Sequence, residues 1–399
     1  MKIKKENYLD FYKENKIIPT VNLKDSNIGI LMKQRYNFYL NLGLTIDNFQ
    51  NKEILELGPG TGYNAYFLLK YAKIKKITLV DANFFSLKTL KKNLKKFNNK
   101  KIINKNINNF KINKKFDYII IENTLGGLKH PKKIFKKILN FLRPGGSIIL
   151  TLTEPMGIFS EKLRYLHSLL ILKSTNKKNI NFSFETRILS KEFKSHLIKL
   201  GKNTRNSEKW VQDNMLNKAW ITKSNYFSFN DLYKTLNKKK FLIKNSSPNY
   251  NTNFIWYKNF NVKNYNDNYL KNYLKNRINL IHMKEKFNSE LEGQIKTKKK
   301  FNNKIYNIII KINRLINGFD INSKNFITNL SKINKFIILL SKLLNSNINI
   351  SRSLIEFSKL LNNYLNKKEK SFKYDNYRKF WGHTTCPILI YKLNNYYAN

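Results

Sequence analysis

Glu53-Ile54-Leu55-Glu56-Leu57-Gly58-Pro59-Gly60-Thr61-Gly62 is the stretch that decides the fold of this chain. Five mostly apolar residues, too few for a helix, run into three alternate glycines. Tyr63 to Ala72 then has helical spacing. A strand, a glycine turn and a helix in that order let a ligand approach the backbone closely, with helix N–H groups facing it. The spacing Gly-x-Gly-x-Gly differs from the Gly-x-Gly-x-x-Gly of dinucleotide binding.

The pattern repeats outward from this point. Lys76-Ile77-Thr78-Leu79-Val80 reads as a second strand ending at Asp81, and Ser86 to Phe97 as a Lys-rich helix. Lys101–Asn104, Phe116–Ile121 and Ser147–Leu152 read as strands three to five, with a helix over Pro131 to Leu142. Strands alternating with helices predict a parallel, doubly wound sheet. A later unit follows, with a helix over Phe229 to Asn237, a strand over Phe241–Lys244 and a closing strand over Cys386–Tyr391. An acid at the end of strand two can accept hydrogen bonds from ribose hydroxyls, although Asp81 also suits a helix N-cap. Together the glycine turn, Asp81 and Arg143-Pro144-Gly145-Gly146 ahead of strand five form a stronger constellation than any glycine loop alone.

In these segments the chain resembles the class I S-adenosylmethionine-dependent methyltransferases. Glu56-Leu57-Gly58-Pro59-Gly60-Thr61-Gly62 is similar to their first motif, and Asp81 sits where their ribose-binding acid lies. Phe116 to Glu122 resembles their fourth strand, Leu142 to Ser147 their turn into strand five, and 227–247 their late helix and sixth strand. The resemblance implies an α/β fold with a doubly wound, seven-stranded, mostly parallel sheet whose last strand is antiparallel, here with large helical insertions. It implies S-adenosylmethionine as cofactor, held by Glu56, Gly58, Gly60, Gly62, Asp81 and Asn106. Asn106 stands where the family often has an acid near the adenine amino group.

The chemistry is an in-line displacement from a sulfonium, so the protein positions the acceptor and can remove its proton. Glu122, at the end of strand four, is a candidate general base or a loop-anchoring acid. His130, before Pro131, is a base or a helix N-terminal residue, and His383 ahead of the closing strand is the third candidate. His167, His196 and His282 lie in helical, Lys-rich surroundings and read as surface or packing residues. No metal-ligand spacing is visible. Arg35-Tyr36 in the lead-in helix is either in reach of the cofactor pocket or, the favoured reading, there for core packing of Tyr36. The loop Glu122-Asn123-Thr124-Leu125 lacks the Asn/Asp-Pro-Pro-Tyr of nucleic-acid amino-methyltransferases, which lowers the case for base methylation.

Composition bounds these readings. The chain has 399 residues, 76 Lys+Arg against 25 Asp+Glu and a net charge of +51. Such a surplus invites a nucleic-acid partner. Lysine is nevertheless spread evenly, with Asn, Ile, Phe and Tyr also frequent, which points to compositional bias. One cysteine, Cys386, excludes an internal disulfide and a Cys-based metal site. No signal core follows the first charges and no apolar run approaches a membrane span, so a cytoplasmic enzyme is expected.

The expected activity is methyl transfer to a small or medium-sized acceptor, a sugar or hydroxylated metabolite. The alternatives are an RNA-directed methyltransferase using the basic surface, or a non-catalytic binding protein that keeps the fold. The expected organisation is a lead-in over 1–50, a cofactor core over 51–154, a helical insertion over 155–226, core elements over 227–248, a helical insertion over 249–380 and a closing segment over 381–399. The two insertions are expected to roof the methyl with Leu- and Ile-rich faces and with Trp210, Trp220 and Trp256.

Overall fold

Short apolar runs bounded by glycine, proline or asparagine give the chain its strands, and longer amphipathic runs give its helices. The computed structural model describes residues 8–20, 23, 27–175, 181–201, 205–224, 226–251, 258, 260–286, 295–366 and 374–394; Trp256 lies outside them. In chain order the elements are α1 (Tyr8–Glu14), α2 (Ile28–Asn41), β1 (Glu53–Leu57), α3 (Tyr63–Tyr71), β2 (Lys76–Asp81), α4 (Phe84–Asn93), β3 (Lys100–Asn104), β4 (Phe116–Ile121), α5 (Pro131–Leu139), β5 (Leu142–Thr153) and α6 (Phe159–Ser174). They continue with α7 (Phe182–Leu200), α8 (Ser207–Val211), α9 (Lys218–Ile221), α10 (Phe229–Thr235), β6 (Phe241–Ser246), α11 (Val262–Asn276), α12 (Ile295–Asn317), α13 (Phe326–Leu343), α14 (Ile348–Leu365), α15 (Asp375–Lys379) and β7 (Thr385–Lys392). They divide into a sheet unit (Met1–Thr153, Tyr226–Leu274, Thr385–Asn399) and a helical unit (Glu154–Asn225, Lys275–Thr384).

The sheet unit holds seven strands in the order β3-β2-β1-β4-β5-β7-β6. Strands β1 to β5 are parallel, with Leu55 opposite both Thr78 and Ile119. β7 runs antiparallel between β5 and β6, pairing Leu150 with Ile388 and Ile243 with Ile390. This is the expected seven-stranded arrangement. Strand β1, the middle one of the five parallel strands, is buried along its whole length, as a parallel strand covered on both faces must be. Arg143-Pro144-Gly145-Gly146 forms an irregularity inside β5, where register shifts between Phe116 and Tyr118 of β4, and not a separate turn ahead of it. Helix α4 starts two residues before the expected Ser86, because the Asn83 side chain accepts from Phe85 N (3.1 Å) and Ser86 N (3.4 Å).

The sheet has two differently protected edges. β3 presents exposed Lys101. β6 is covered by α11, whose buried Asn266 accepts from Ile243 N (2.9 Å) and donates to Phe241 O (2.8 Å). Tyr269 and Tyr273 of the same helix stack on Phe229. Residues 249–274 therefore belong to the sheet unit and not to the expected insertion over 249–380, while 381–384 fall in the helical unit.

Within the helical unit, α6 is buried from Phe159 to Leu170. Its Arg164 donates to the carbonyls of Ser160 (3.0 Å), Phe380 (2.8 Å), Tyr377 (3.3 Å) and Arg378 (3.3 Å), which compensates a buried charge. Trp210 packs on Phe193 and Trp381 in this unit's own core. Helix α12 is separated from α13 by residues 318–325, and α13 from α14 by residues 344–347. No described helix is long and apolar enough to cross a membrane.

Candidate active site

The glycine turn after β1 carries three left-handed residues, Gly58 (φ +76°), Gly60 (φ +55°) and Gly62 (φ +80°). A Cβ on Gly58 would lie 2.1 Å from Thr124 Oγ1, and one on Gly60 would lie 2.5 Å from Thr20 Cγ2. Asp81, at the end of β2, closes the turn from the side: Oδ2 accepts from Gly60 N (3.0 Å) and Oδ1 from Asn83 N (2.8 Å). Burial pushes the Asp81 carboxyl above its usual range, and the backbone N–H groups of Asn83, Gly60 and Ala82 pull it back. The cap of α4 is Asn83, so Asp81 is left to the turn.

Glu56 lies next to the turn and is only 3% exposed. Its Oε1 accepts from Asn64 Nδ2 at 3.1 Å, and Asn64 Oδ1 in turn accepts from Tyr39 OH at 2.6 Å. Among the described residues Glu56 Oε2 has no hydrogen-bond partner. Burial pushes the Glu56 carboxyl up to about 7; the Glu122 and Asp81 charges add to this, while Asn64 and Arg35 oppose it.

At the end of β4, the Glu122 carboxylate is gripped by the Arg35 fork, Nη1 to Oε2 at 2.5 Å and Nη2 to Oε1 at 2.8 Å. Tyr63 OH donates to the same Oε1 at 3.0 Å. Arg35 also lies over the rings of Phe38 (4.4 Å) and Tyr63 (4.7 Å). Burial alone would lower the Arg35 guanidinium, but the Glu122 and Tyr63 charges outweigh it and hold Arg35 above its ordinary value. The buried residue of the Arg35-Tyr36 pair is thus Arg35; Tyr36, expected to pack in the core, is 42% exposed. The next residue, Asn123, has φ +51°, and its N–H donates to Thr151 Oγ1 at 2.6 Å.

The lead-in segment crosses the same corner of the sheet unit. Thr20 Oγ1 accepts from Thr61 N (2.9 Å), and the Ile17 carbonyl accepts from Asn83 Nδ2 (3.2 Å). The Tyr8 ring is within 3.7 Å of where a Gly127 Cβ would lie, and burial followed by the Asp81 charge raises its hydroxyl.

The remaining expected residues make local contacts of their own. Asn106 follows β3, and its Oδ1 accepts from Asn108 N at 2.9 Å in an Asx turn. His130 is exposed and precedes Pro131 at the start of α5, where its carbonyl accepts from Ile134 N at 3.1 Å. His383 belongs to the helical unit; its N–H donates to Leu280 O at 2.8 Å, and burial lowers its imidazole. His282 Nδ1 accepts from the N–H groups of Lys284 and Glu285, both at 3.1 Å. His167 and His196, with Glu192, bring potential ligand atoms within 4.8 Å of one another. There, however, Arg164 Nε donates to His196 Nδ1 (3.2 Å), so a fixed cation already adjoins the group. Burial depresses both imidazoles, that of His167 to about 3, which makes them neutral packing groups and not surface residues.

Residues 48–212 match a family model described as a methyltransferase domain. These residues carry a methyltransferase domain. Among solved structures, this methyltransferase is similar to the N-methyltransferase NodS from Bradyrhizobium japonicum WM9 in complex with S-adenosylhomocysteine. That match has 18% identity and a TM-score of 0.31, covering 37% of this chain and 74% of that one. It is also similar to PKMT2 from Rickettsia typhi in complex with the same product, at 18% identity and a TM-score of 0.38, covering 54% of this chain and 44% of that one. A third is an S-adenosylmethionine-dependent methyltransferase from Clostridium acetobutylicum ATCC 824, at 23% identity and a TM-score of 0.29, covering 33% of this chain and 54% of that one. Scores of this size do not bear on the acceptor. No curated protein matches the chain in sequence.

Sequence reasoning passed over Tyr39, Tyr63 and Asn64 in this methyltransferase, and it set Arg35 second to the packing of Tyr36. The available signal was the scarcity of arginine: one placed four residues before a tyrosine, within the apolar run of a lead-in helix, was a candidate for a buried partner acid.

Proposed function

We propose that this methyltransferase binds S-adenosylmethionine along the carboxyl ends of β1 and β2 and transfers its methyl to a hydroxyl of a small or medium-sized acceptor, a sugar or another hydroxylated metabolite. The observation that carries the reading is Glu56 Oε2, a buried carboxylate oxygen with no partner among the described residues. A buried acceptor without a donor is costly, and the methionyl ammonium of the cofactor would satisfy it. Asp81 would take the ribose hydroxyls with the lone pairs its two backbone N–H bonds leave free. Gly58, Gly60 and Gly62 would keep the turn's backbone clear, and Asn106 would accept from the adenine amino group through its second lone pair. When bound, the cofactor supplies a sulfonium leaving group.

Glu122 carries the acceptor end in this reading. Its Oε2 holds one bond, from Arg35, and can accept a second from the acceptor's hydroxyl. The Arg35 fork fixes the Glu122 carboxylate, so that Glu122 orients the acceptor's O–H and takes the proton released as the methyl leaves sulfur and the C–O bond forms. His130 and His383 have no assigned step. The loop Glu122–Leu125 offers no aromatic ring to stack a base, which favours a small acceptor over RNA.

Incubating the protein with methyl-labelled S-adenosylmethionine and a metabolite extract, followed by mass spectrometry, tests this. The expected product is a labelled small molecule whose new methyl sits on oxygen. Label recovered only in RNA, with a rate that falls by decades as salt rises, would replace the small-acceptor reading by the RNA-directed one.

A further inference from the structure

Helix α2 meets both acids of the site with residues one turn apart. Arg35 grips Glu122 at the end of β4, and Tyr39, through Asn64, holds Glu56 at the end of β1. Residues four apart share a helix face, so one helix presents both. Neither contact suits mere docking of α2 on the sheet. A buried ion pair is a poor way to gain stability, and a buried tyrosine hydroxyl needs a partner that an apolar residue would not. The charges also do not balance: two carboxylates, Glu56 and Glu122, face one guanidinium. The groups facing Glu56 are Asn64 and Tyr63 of α3, Arg35 and Tyr39 of α2, Glu122 and Asp81. Asp81 is met by backbone N–H groups and Glu122 by Arg35, so the acid left short of partners is Glu56, whose Oε2 is unfilled among the described residues.

We propose that Arg35 and Tyr39 are positioning residues for the amino-acid end of the cofactor, acting on its ammonium through Glu56. Arg35 neutralises Glu122, so that Glu56 can ionise beside it; Tyr39 fixes the Asn64 amide, so that only one Glu56 oxygen is consumed. The proposal rests on the cofactor reading given above. It also separates α2 from a purely structural role, because its effect falls on one part of the cofactor and not on the adenosine.

The experiment measures binding of S-adenosylhomocysteine and of 5′-methylthioadenosine, which lacks the ammonium and carboxylate, by calorimetry. The proteins are wild type, Arg35→Met and Tyr39→Phe, from about pH 6 to about pH 8. Arg35→Met leaves buried Glu56 beside Glu122 with no cation between them, so Glu56 holds its proton to higher pH. Its affinity for S-adenosylhomocysteine is expected to fall about tenfold or more at pH 7 and to recover as pH rises. Tyr39→Phe removes one hydroxyl while keeping the ring packed on Phe67 and Phe49, and carries the test should Arg35→Met not fold. Its expected loss is about threefold to tenfold. Methylthioadenosine affinity should stay within about twofold in both, with no shift in pH profile. Parallel losses for the two ligands, or no loss for S-adenosylhomocysteine, would overturn the positioning role. Wild type binding methylthioadenosine but not S-adenosylhomocysteine would instead overturn the assignment of Glu56 itself.

Discussion

The two acids of β1 stand three residues apart and have opposite surroundings. Glu53, at the amino end, is bonded by Lys114 (2.7 Å) and Arg143 (2.5 Å), while its backbone N–H donates to Asp117 (2.8 Å). Those two cations hold its carboxyl down to about 2. Glu56, at the carboxyl end, has one amide partner, an empty acceptor and a carboxyl pushed up to about 7. A paired acid closes the bottom of the sheet. An acid held short of partners at the top is costly, and in the cofactor reading proposed above a ligand would relieve it. In that reading the difference separates a structural end from a binding end on the same strand.

The largest effect that would break this contrast is expected at Glu56. Glu56→Gln should weaken S-adenosylhomocysteine binding by about 2–3 kcal/mol, since a charge-assisted bond to the ammonium is lost. The same change should stabilise the ligand-free protein at high pH. A carboxyl whose folded pKa is raised costs stability as pH climbs from its unfolded value near 4.5 through about 7, here by up to about 3 kcal/mol. Thermal melts at about pH 8 and calorimetry together check this. Weaker binding with no gain in stability would mean that Glu56 is not a strained acid.

At the neighbouring strand end, Asp81→Ala should cost about 1–3 kcal/mol of cofactor affinity. Part of that comes from the ribose and part from the loss of the Gly60 N–H acceptor. Asp81→Asn separates the two: one amide oxygen can hold the Gly60 N–H but not serve both partners as the carboxylate does. Equal affinity in wild type and Asp81→Ala, read by calorimetry, would show that the ribose lies elsewhere.

The smallest effect is expected at Glu53. Glu53→Gln should leave cofactor affinity unchanged and lower stability by about 1 kcal/mol near neutral pH. Because the folded carboxyl is depressed, its contribution is present above the unfolded value near 4.5 and disappears as pH falls towards about 2. Denaturant melts at stepped pH should therefore show wild type and variant converging in acid. A change in cofactor binding at Glu53→Gln would erase the distinction between the two ends of β1.

Much of this site was legible from local pattern. Glu56 was identified by its place before the glycines and Asp81 by its place after β2, because strand ends and turns are fixed by neighbours in sequence. Glu122 was placed by the same logic, but its state was not: whether it is free or clamped depends on Arg35, 87 residues away. The boundary of the second insertion was misjudged because α11 has a helical period wherever it packs. The bonds from Asn266 to the backbone of β6 and the stacking of Tyr269 and Tyr273 on Phe229 place it with the sheet unit.

By itself, then, the sequence determined the alternation of strands and helices, the glycine turn and the acids at the ends of β1, β2 and β4, since periodicity and turn chemistry act within a few residues. The tertiary structure alone decided which acids are satisfied. Pairing Glu53 with Lys114 and Arg143, and Glu122 with Arg35, needs groups far apart in the chain to meet, whereas Glu56 finds among the described residues only the nearby Asn64. The protonation of a buried carboxylate follows from that meeting and from the water it excludes.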